Sequence, residues 1–116
     1  MAVRDKRRYV LVEASCDVAG ANGGTAIPEF KSAIVAALHA ELGEVRYHEV
    51  NPVIVACPGQ RLFILRCSLD GVGDLITALA LTRSLRGAQV GLYTLGSSGT
   101  IRALKDSLVE MQRLPK

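Results

Sequence analysis

The sequence has few of the residues from which disulfide frameworks, metal centres and nucleophilic sites are assembled. Its three cysteines, Cys16, Cys57 and Cys67, are odd in number and follow neither a CxxC nor a Cys/His metal spacing. With no secretory leader ahead of them they are expected to be reduced thiols in an intracellular protein. The two histidines, His39 and His48, have no partner pattern around them, so no metal-ligating residue is assigned. No apolar run approaches the ~20 residues of a membrane span. Neither an internal repeat nor a low-complexity tract is visible. Gly20, Gly23 and Gly24 with Asn22 punctuate a loop over residues 15–26, but no Gly-Lys-Ser/Thr follows them, which excludes a P-loop. Gly71-Val72-Gly73 lacks the third glycine and the strand order of a dinucleotide fingerprint. No carboxylate pair and no nucleophile–base constellation is present, so no catalytic residue is assigned and intrinsic nuclease activity is not expected.

What is there suits one folded domain spanning 1–116. The chain has 116 residues, of which 49% are apolar, enough for one core. Lys and Arg number 14 against 11 acidic residues, a mild net charge of +3, so the position of the charge matters more than its sum. Two places concentrate it. Residues 1–8 form a basic arm, with Arg4, Lys6, Arg7 and Arg8 against the single acid Asp5, just before a strand at Tyr9–Ala14. Such an arm suits a solvated tail or sequence-independent phosphate contacts. The second place is Gly96-Ser97-Ser98-Gly99-Thr100-Ile101-Arg102-Ala103-Leu104-Lys105, where a strand gives way to a helix. Ser97, Ser98 or Thr100 can cap that helix, and its free N–H groups, with Arg102 and Lys105 beside them, can face an anion.

Between these ends the periodicity alternates. Pro28 and Glu29 open a helix carrying Phe30, Ile34, Ala37 and Leu38 and stopped by Gly43; His39 falls on its flank. Glu44–Val50 alternates as a strand with Val45, Tyr47 and Glu49 on one face, and Asn51-Pro52 breaks it. Val53–Ala56 reads as a further extended piece before a turn at Cys57–Gln60, and Arg61–Cys67 as the clearest strand. Ser68 or Asp70 is placed to cap a helix running through Val72, Leu75, Ile76, Leu79 and Leu85 to Gly87. A strand at 89–95 and a helix from about 99 to 113 follow, the latter with Ile101, Leu104, Leu108 and Met111 as its apolar stripe and Arg113 off it. The order strand–helix–strand–strand–helix–strand is a split β-α-β twice over. It predicts an α/β (α+β) ferredoxin-like, RRM-like sandwich: an antiparallel sheet with helices on one face, plus an extra C-terminal helix.

The residues Val3-Arg4-x-Lys6-x-Arg8-Tyr9-x-Leu11-x-Glu13 resemble the opening of the Pop-five family, the small protein subunit of archaeal and eukaryotic ribonuclease P that eukaryotes share with RNase MRP. Leu65-Arg66-Cys67, followed by the helix at Ala78-Leu79, resembles its third strand and second helix. Ser98-Gly99-Thr100-Ile101-Arg102 resembles its closing motif. Residues 15–26 and 48–60 do not match. The resemblance implies a non-catalytic subunit that supports an RNA in removing the 5′ leader from precursor tRNA. The chemistry then belongs to the RNA and its Mg2+, with no cofactor bound by the protein itself. It implies ribonuclease P RNA, precursor tRNA through the particle, a β/α-barrel protein subunit and a second copy of the chain as partners, and no membrane. It places the chain in the nucleus or nucleolus of a eukaryote or the cytoplasm of an archaeon. A base-stacking sheet needs exposed aromatics on its central strands, and only Tyr9 and Phe63 are available there. Phosphate and shape contacts from Arg4, Lys6, Arg7, Arg8, Ser98, Gly99, Thr100, Arg102 and Lys105 are therefore expected. Two other functions share this topology: a regulatory or dimerising module that binds a small ligand, and a hydrolase of acylphosphatase type, for which no water-positioning amide is placed.

Overall fold

Two runs rich in Val, Leu, Ile and Phe form the middle of the sheet. A computed structural model of the chain describes residues 6–20 and 24–113. β1 (Arg7–Ala14) pairs antiparallel with β3 (Leu62–Ser68) in a register that sets Val10 opposite Leu65 and Val12 opposite Phe63. β2 (Val53–Gly59) lies outside β3 and β6 (Leu92–Ser98) outside β1, giving the antiparallel order β2-β3-β1-β6. Pro58 is accommodated because β2 is an edge strand. The pairing of β1 with β6 shifts between Leu11 and Val12, where Leu11 faces Gly96 but Val12 faces Thr94. The extra residue on β6 is a bulge, which bends the strand.

Successive strand residues point to opposite faces, and here both faces are covered. On one, Val10, Val12, Ala14, Phe63, Leu65 and Cys67 meet helices α1 (Pro28–Leu42) and α3 (Val72–Leu81) through Phe30, Ile34, Leu38, Leu75, Ala78 and Leu79. Phe30 and Phe63 meet edge to face, with ring centroids 5.1 Å apart. On the other face, α4 (Ile101–Arg113) lays Ile101, Leu104 and Leu108 over Leu11 and Ile64. The expected sandwich with an additional helix is therefore present, and the additional helix packs on the face opposite the others. Met111 and Arg113, assigned above to its stripe and flank, have side chains outside the described residues.

Four segments differ from the sequence reading. Residues Glu44–Val50, expected as a strand, form helix α2. Their alternation would bury Val45 beside Tyr47, but Val45 is 74% exposed while Val50 is fully buried. The burial that counts is Tyr47 with Val50, a spacing of one helical turn. Gly43 (φ 82°) closes α1 and lets α2 start at once; Asn51 (φ 51°), left-handed, ends α2 before Pro52. β2 continues through Cys57 and Pro58 to Gly59, so the turn falls at residues 60–61. α3 stops at Leu81, six residues short of Gly87. Thr82 turns extended, with its Oγ1 donating to the Ala78 carbonyl at 2.8 Å. Leu85 instead sits in a small hairpin, β4 (Ser84–Leu85) and β5 (Ala88–Gln89), whose turn residues Arg86 (φ 53°) and Gly87 (φ 81°) are both left-handed, the geometry of a type I′ turn. Neither Ser68 nor Asp70 caps α3; a 3-10 turn (Leu69–Gly71) leads into it with no side-chain cap. Finally, the strand expected at 89–95 runs from Leu92 to Ser98, and α4 begins at Ile101.

The loop after β1 is tied down. Val18, fully buried, donates its N–H to the Gln60 carbonyl at 2.7 Å, and Gly24 bridges Cys57. Asn22 and Gly23, read above as part of this loop, lie outside the described residues.

Candidate nucleic-acid interface

The two basic segments are about ninety residues apart in sequence, and antiparallel pairing of β1 with β6 brings them together. Tyr9 lies opposite Arg66 on β3 and opposite Ser98 on β6. Directly opposed residues share a face, so Arg66, Tyr9 and Ser98 form a row across three strands at one end of the sheet. Arg8 reaches the turn after β6, where its Nη1 lies 3.6 Å from the position a Cβ on Gly99 would take. Arg102 and Lys105 are exposed on the first two turns of α4, which starts at this same end. Lys6, Arg7, Arg8, Ser98, Gly99, Thr100 and Arg102 are thus neighbours. Arg4 lies outside the described residues.

The strand-to-helix turn is narrower than the sequence pattern indicates. Gly96, Ser97 and Ser98 belong to β6 and pair with Leu11, Val10 and Tyr9, so they are extended along the sheet edge and are not part of the helix-start turn. The turn itself is Gly99-Thr100. Thr100 caps α4: its Oγ1 accepts from the Ala103 N–H at 3.1 Å, while its own N–H donates to Ser98 Oγ at 3.4 Å. One free N–H of the helix start is used by that cap. The remaining first-turn donors and the positive end of the dipole stay directed outward beside Arg102.

Sequence reasoning missed a groove on the flank of this end. It has a volume of about 570 Å³ and is lined by Lys6, Arg7, Arg66, Asn51, Ser68 and Asp70, among others. Arg66 is the functional candidate overlooked: its alternation within Arg61–Cys67 puts it on the α4 face, opposite Tyr9, and that signal was available. Of the acidic residues nearby, Asp74 and Glu49 are engaged by Arg46, whose Nε donates to Asp74 Oδ2 at 2.6 Å and whose Nη1 donates to Glu49 Oε1 at 3.4 Å. Asp70 offers Arg46 its backbone carbonyl at 3.2 Å and keeps its carboxylate in the groove wall. The hydrogen bond from Arg46 to Asp74 is the main reason its guanidinium holds its proton even more firmly than usual. Among the described residues, no salt bridge engages Lys6, Arg7, Arg8, Arg66, Arg102 or Lys105. Six cations at one end of the molecule are left to act outward.

The two buried thiols are not prepared for reaction. The Cys67 thiol in the groove wall is pushed up to about 11 by burial, with Arg8 opposing and Asp70 adding to the shift. Burial also raises Cys57. Both remain protonated, which suits packing and not nucleophilic attack. Nor is the sheet a stacking platform: Phe63 is fully buried under α1, and Tyr9 packs into the cluster beneath α4. Tyr93 is 59% exposed, but it lies near the far end of the sheet, opposite Glu13.

A four-stranded antiparallel sheet of order β2-β3-β1-β6 with α1 and α3 on one face defines a ferredoxin-like α+β protein, here with a basic end and a covered sheet. The Rpp14/Pop5 family model matches residues 8–109, and the chain belongs to that family. The ribonuclease P protein component 2 of Pyrococcus horikoshii is 34% identical over 104 residues, covering 89% of this chain and 82% of its own length. The protein of the same name from Methanoculleus marisnigri is 26% identical over 114 residues, 98% of this chain and 68% of its own length. A chain in the cryo-EM structure of yeast ribonuclease MRP superposes with a TM-score of 0.62 at 11% identity, over 97% of this chain and 96% of that one, a likeness of fold.

Proposed function

We propose that this chain is a non-catalytic protein subunit of ribonuclease P, which binds and stabilises the particle's RNA for removal of the 5′ leader from precursor tRNA. One observation carries the reading: Lys6–Arg8 and the Ser98–Arg102 segment meet at one end of the sheet with no acidic partner among the described residues. Clustered, unpaired Lys and Arg side chains beside a helix start recognise phosphates. With the sheet's other face occupied by α4, the contacts are to backbone and shape. The family membership and the relatives' names support ribonuclease P as the particle. On this reading the partners are ribonuclease P RNA, precursor tRNA through the particle, the β/α-barrel protein subunit and a second copy of the chain. Mg2+ is held by the RNA. The protein acts inside the cell, in the nucleus of a eukaryote or the cytoplasm of an archaeon.

The test is the salt dependence of RNA binding. Replacing Lys6, Arg7 and Arg8 with Ala should weaken binding and flatten the slope of log K against log salt by about one unit for each phosphate no longer neutralised. Their exposed or half-exposed positions at the strand's start leave the fold intact. An unchanged slope would show the arm to be only a solubilising tail.

A further inference from the structure

The helical form of residues 44–50 gathers three side chains at the α1–α2 corner. Glu44 and His48 are one turn apart on α2, and His39 comes from the last turn of α1. His39 Nε2 lies 3.3 Å from Glu44 Oε2, and His48 Nε2 lies 3.3 Å from Glu44 Oε1. All the potential ligand atoms fall within 4.8 Å of one another. We propose that His39, Glu44 and His48 form a binding site for a divalent transition metal of the zinc class.

The geometry suits such an ion. Zinc takes bonds of about 2.0–2.1 Å to imidazole nitrogen and carboxylate oxygen in a tetrahedron, which sets neighbouring ligand atoms about 3.3 Å apart. Each imidazole nitrogen lies at this distance from a different oxygen of the Glu44 carboxylate, so closing on one ion takes rotation of these exposed side chains. The corner that carries them is fixed by backbone bonds: Gly43 N–H donates to the His39 carbonyl and Tyr47 N–H to the Gly43 carbonyl, each at 2.9 Å. The Tyr47 ring packs beside both imidazoles, with centroids 4.9 Å from His39 and 5.6 Å from His48, which are themselves 6.3 Å apart, and restricts their orientation. Two imidazoles and one carboxylate select zinc, nickel or copper over Mg2+ and Ca2+, which prefer oxygen ligands. Three protein ligands leave one position for water. Without an ion the same geometry is a pair of histidine–carboxylate hydrogen bonds; metal binding requires the Nε2 positions to exchange a proton for the ion.

The experiment uses the full chain alone, free of any purification tag and stripped with chelator. Zn2+ is titrated against a chromogenic chelator, and Co2+ is followed by its visible absorption. One equivalent should bind, with an intense tetrahedral Co2+ spectrum and a rise in melting temperature that grows with free Zn2+. His39→Ala, His48→Ala and Glu44→Gln should each weaken Zn2+ binding by at least about tenfold, the loss typical of disturbing even the outer shell of a zinc site, with unchanged circular dichroism. Cys16→Ser should bind as the native chain does, and excess Mg2+ should not displace the ion. No Zn2+ binding by the native chain, equal binding by His48→Ala, loss of binding in Cys16→Ser, or ready displacement by Mg2+ would each overturn the assignment. RNA binding is not a readout in any arm, so the result stands apart from the function proposed above.

Discussion

At the scale of single residues, position decides which cations matter. Arg66 faces a groove and forms no salt bridge among the described residues, whereas Arg61 at the far end is held by Asp17 at 3.2 Å. Gly99 is a second case. Its φ is not left-handed, and a Cβ there would meet Arg8 Nη1 at 3.6 Å, an ordinary contact. The backbone therefore does not demand glycine. A branched side chain, however, would press on the Arg8 guanidinium and cover the turn that the helix N-terminus faces. Gly99→Val is expected to weaken RNA binding more than Arg102→Ala, because Lys105 compensates part of the missing charge while a blocked turn removes several donors together. Filter binding of both variants, corrected for folded fraction by circular dichroism, measures this. Normal affinity in Gly99→Val would remove the turn from the interface.

Elements show how much could be read in advance and why the rest could not. The central strands and the α1 and α4 stripes were legible because burial acts on their periodicity directly: Val10, Val12, Phe63 and Leu65 all reach the core. Glu44–Val50 was not, because a seven-residue helix has too few turns to separate its period from alternation. Its identity comes from Gly43, Asn51, the Glu44–His48 hydrogen bond and the salt bridge Arg46–Glu49. The strand reading also hid the His39–Glu44–His48 cluster, since residues four apart are about 13 Å apart along a strand and one turn apart on a helix. The basic end was half legible: its two segments stood out, but their meeting depends on β1–β6 pairing. The run Gly71-Val72-Gly73 gives a test of element packing. A Cβ on Gly71 would meet Ser68 Oγ at 2.7 Å and Val50 Cγ2 at 2.8 Å, while one on Gly73 meets nothing within 4 Å. Gly71→Ala should destabilise the protein by about 1–3 kcal/mol through overpacking of the 3-10 turn against α2. Gly73→Ala, in the first turn of α3, should stabilise it by about 0.4–1 kcal/mol. Urea unfolding of the two variants separates them, and equal effects would mean α2 does not press on this turn.

The whole molecule has two ends of unlike character. β1 runs from Arg7 at the end shared with Ser98 to Ala14 at the end shared with Leu92, a span of roughly 23 Å for 8 residues. The far end also carries cations, Arg83 beside the small hairpin and Arg86 in its turn. If attraction to RNA followed net charge alone, they would count equally. If the interface is the Lys6–Arg8 and Ser98–Arg102 end, they would not. The comparison is between two double variants that each remove two cations: Arg66→Gln with Arg102→Gln, and Arg83→Gln with Arg86→Asn. Asn is chosen at 86 because its left-handed φ of 53° is one that Asn tolerates. The first pair should lower RNA affinity and flatten the salt slope by about two units. The second should leave the slope within about half a unit of the native value, since charges more than a Debye length from the phosphates, about 8–10 Å, are largely screened. On the proposed non-catalytic role, neither protein, nor the native chain, should cleave precursor tRNA without the RNA subunit. Equal slopes for the two pairs would mean that RNA wraps both ends, and the one-ended interface would have to be abandoned.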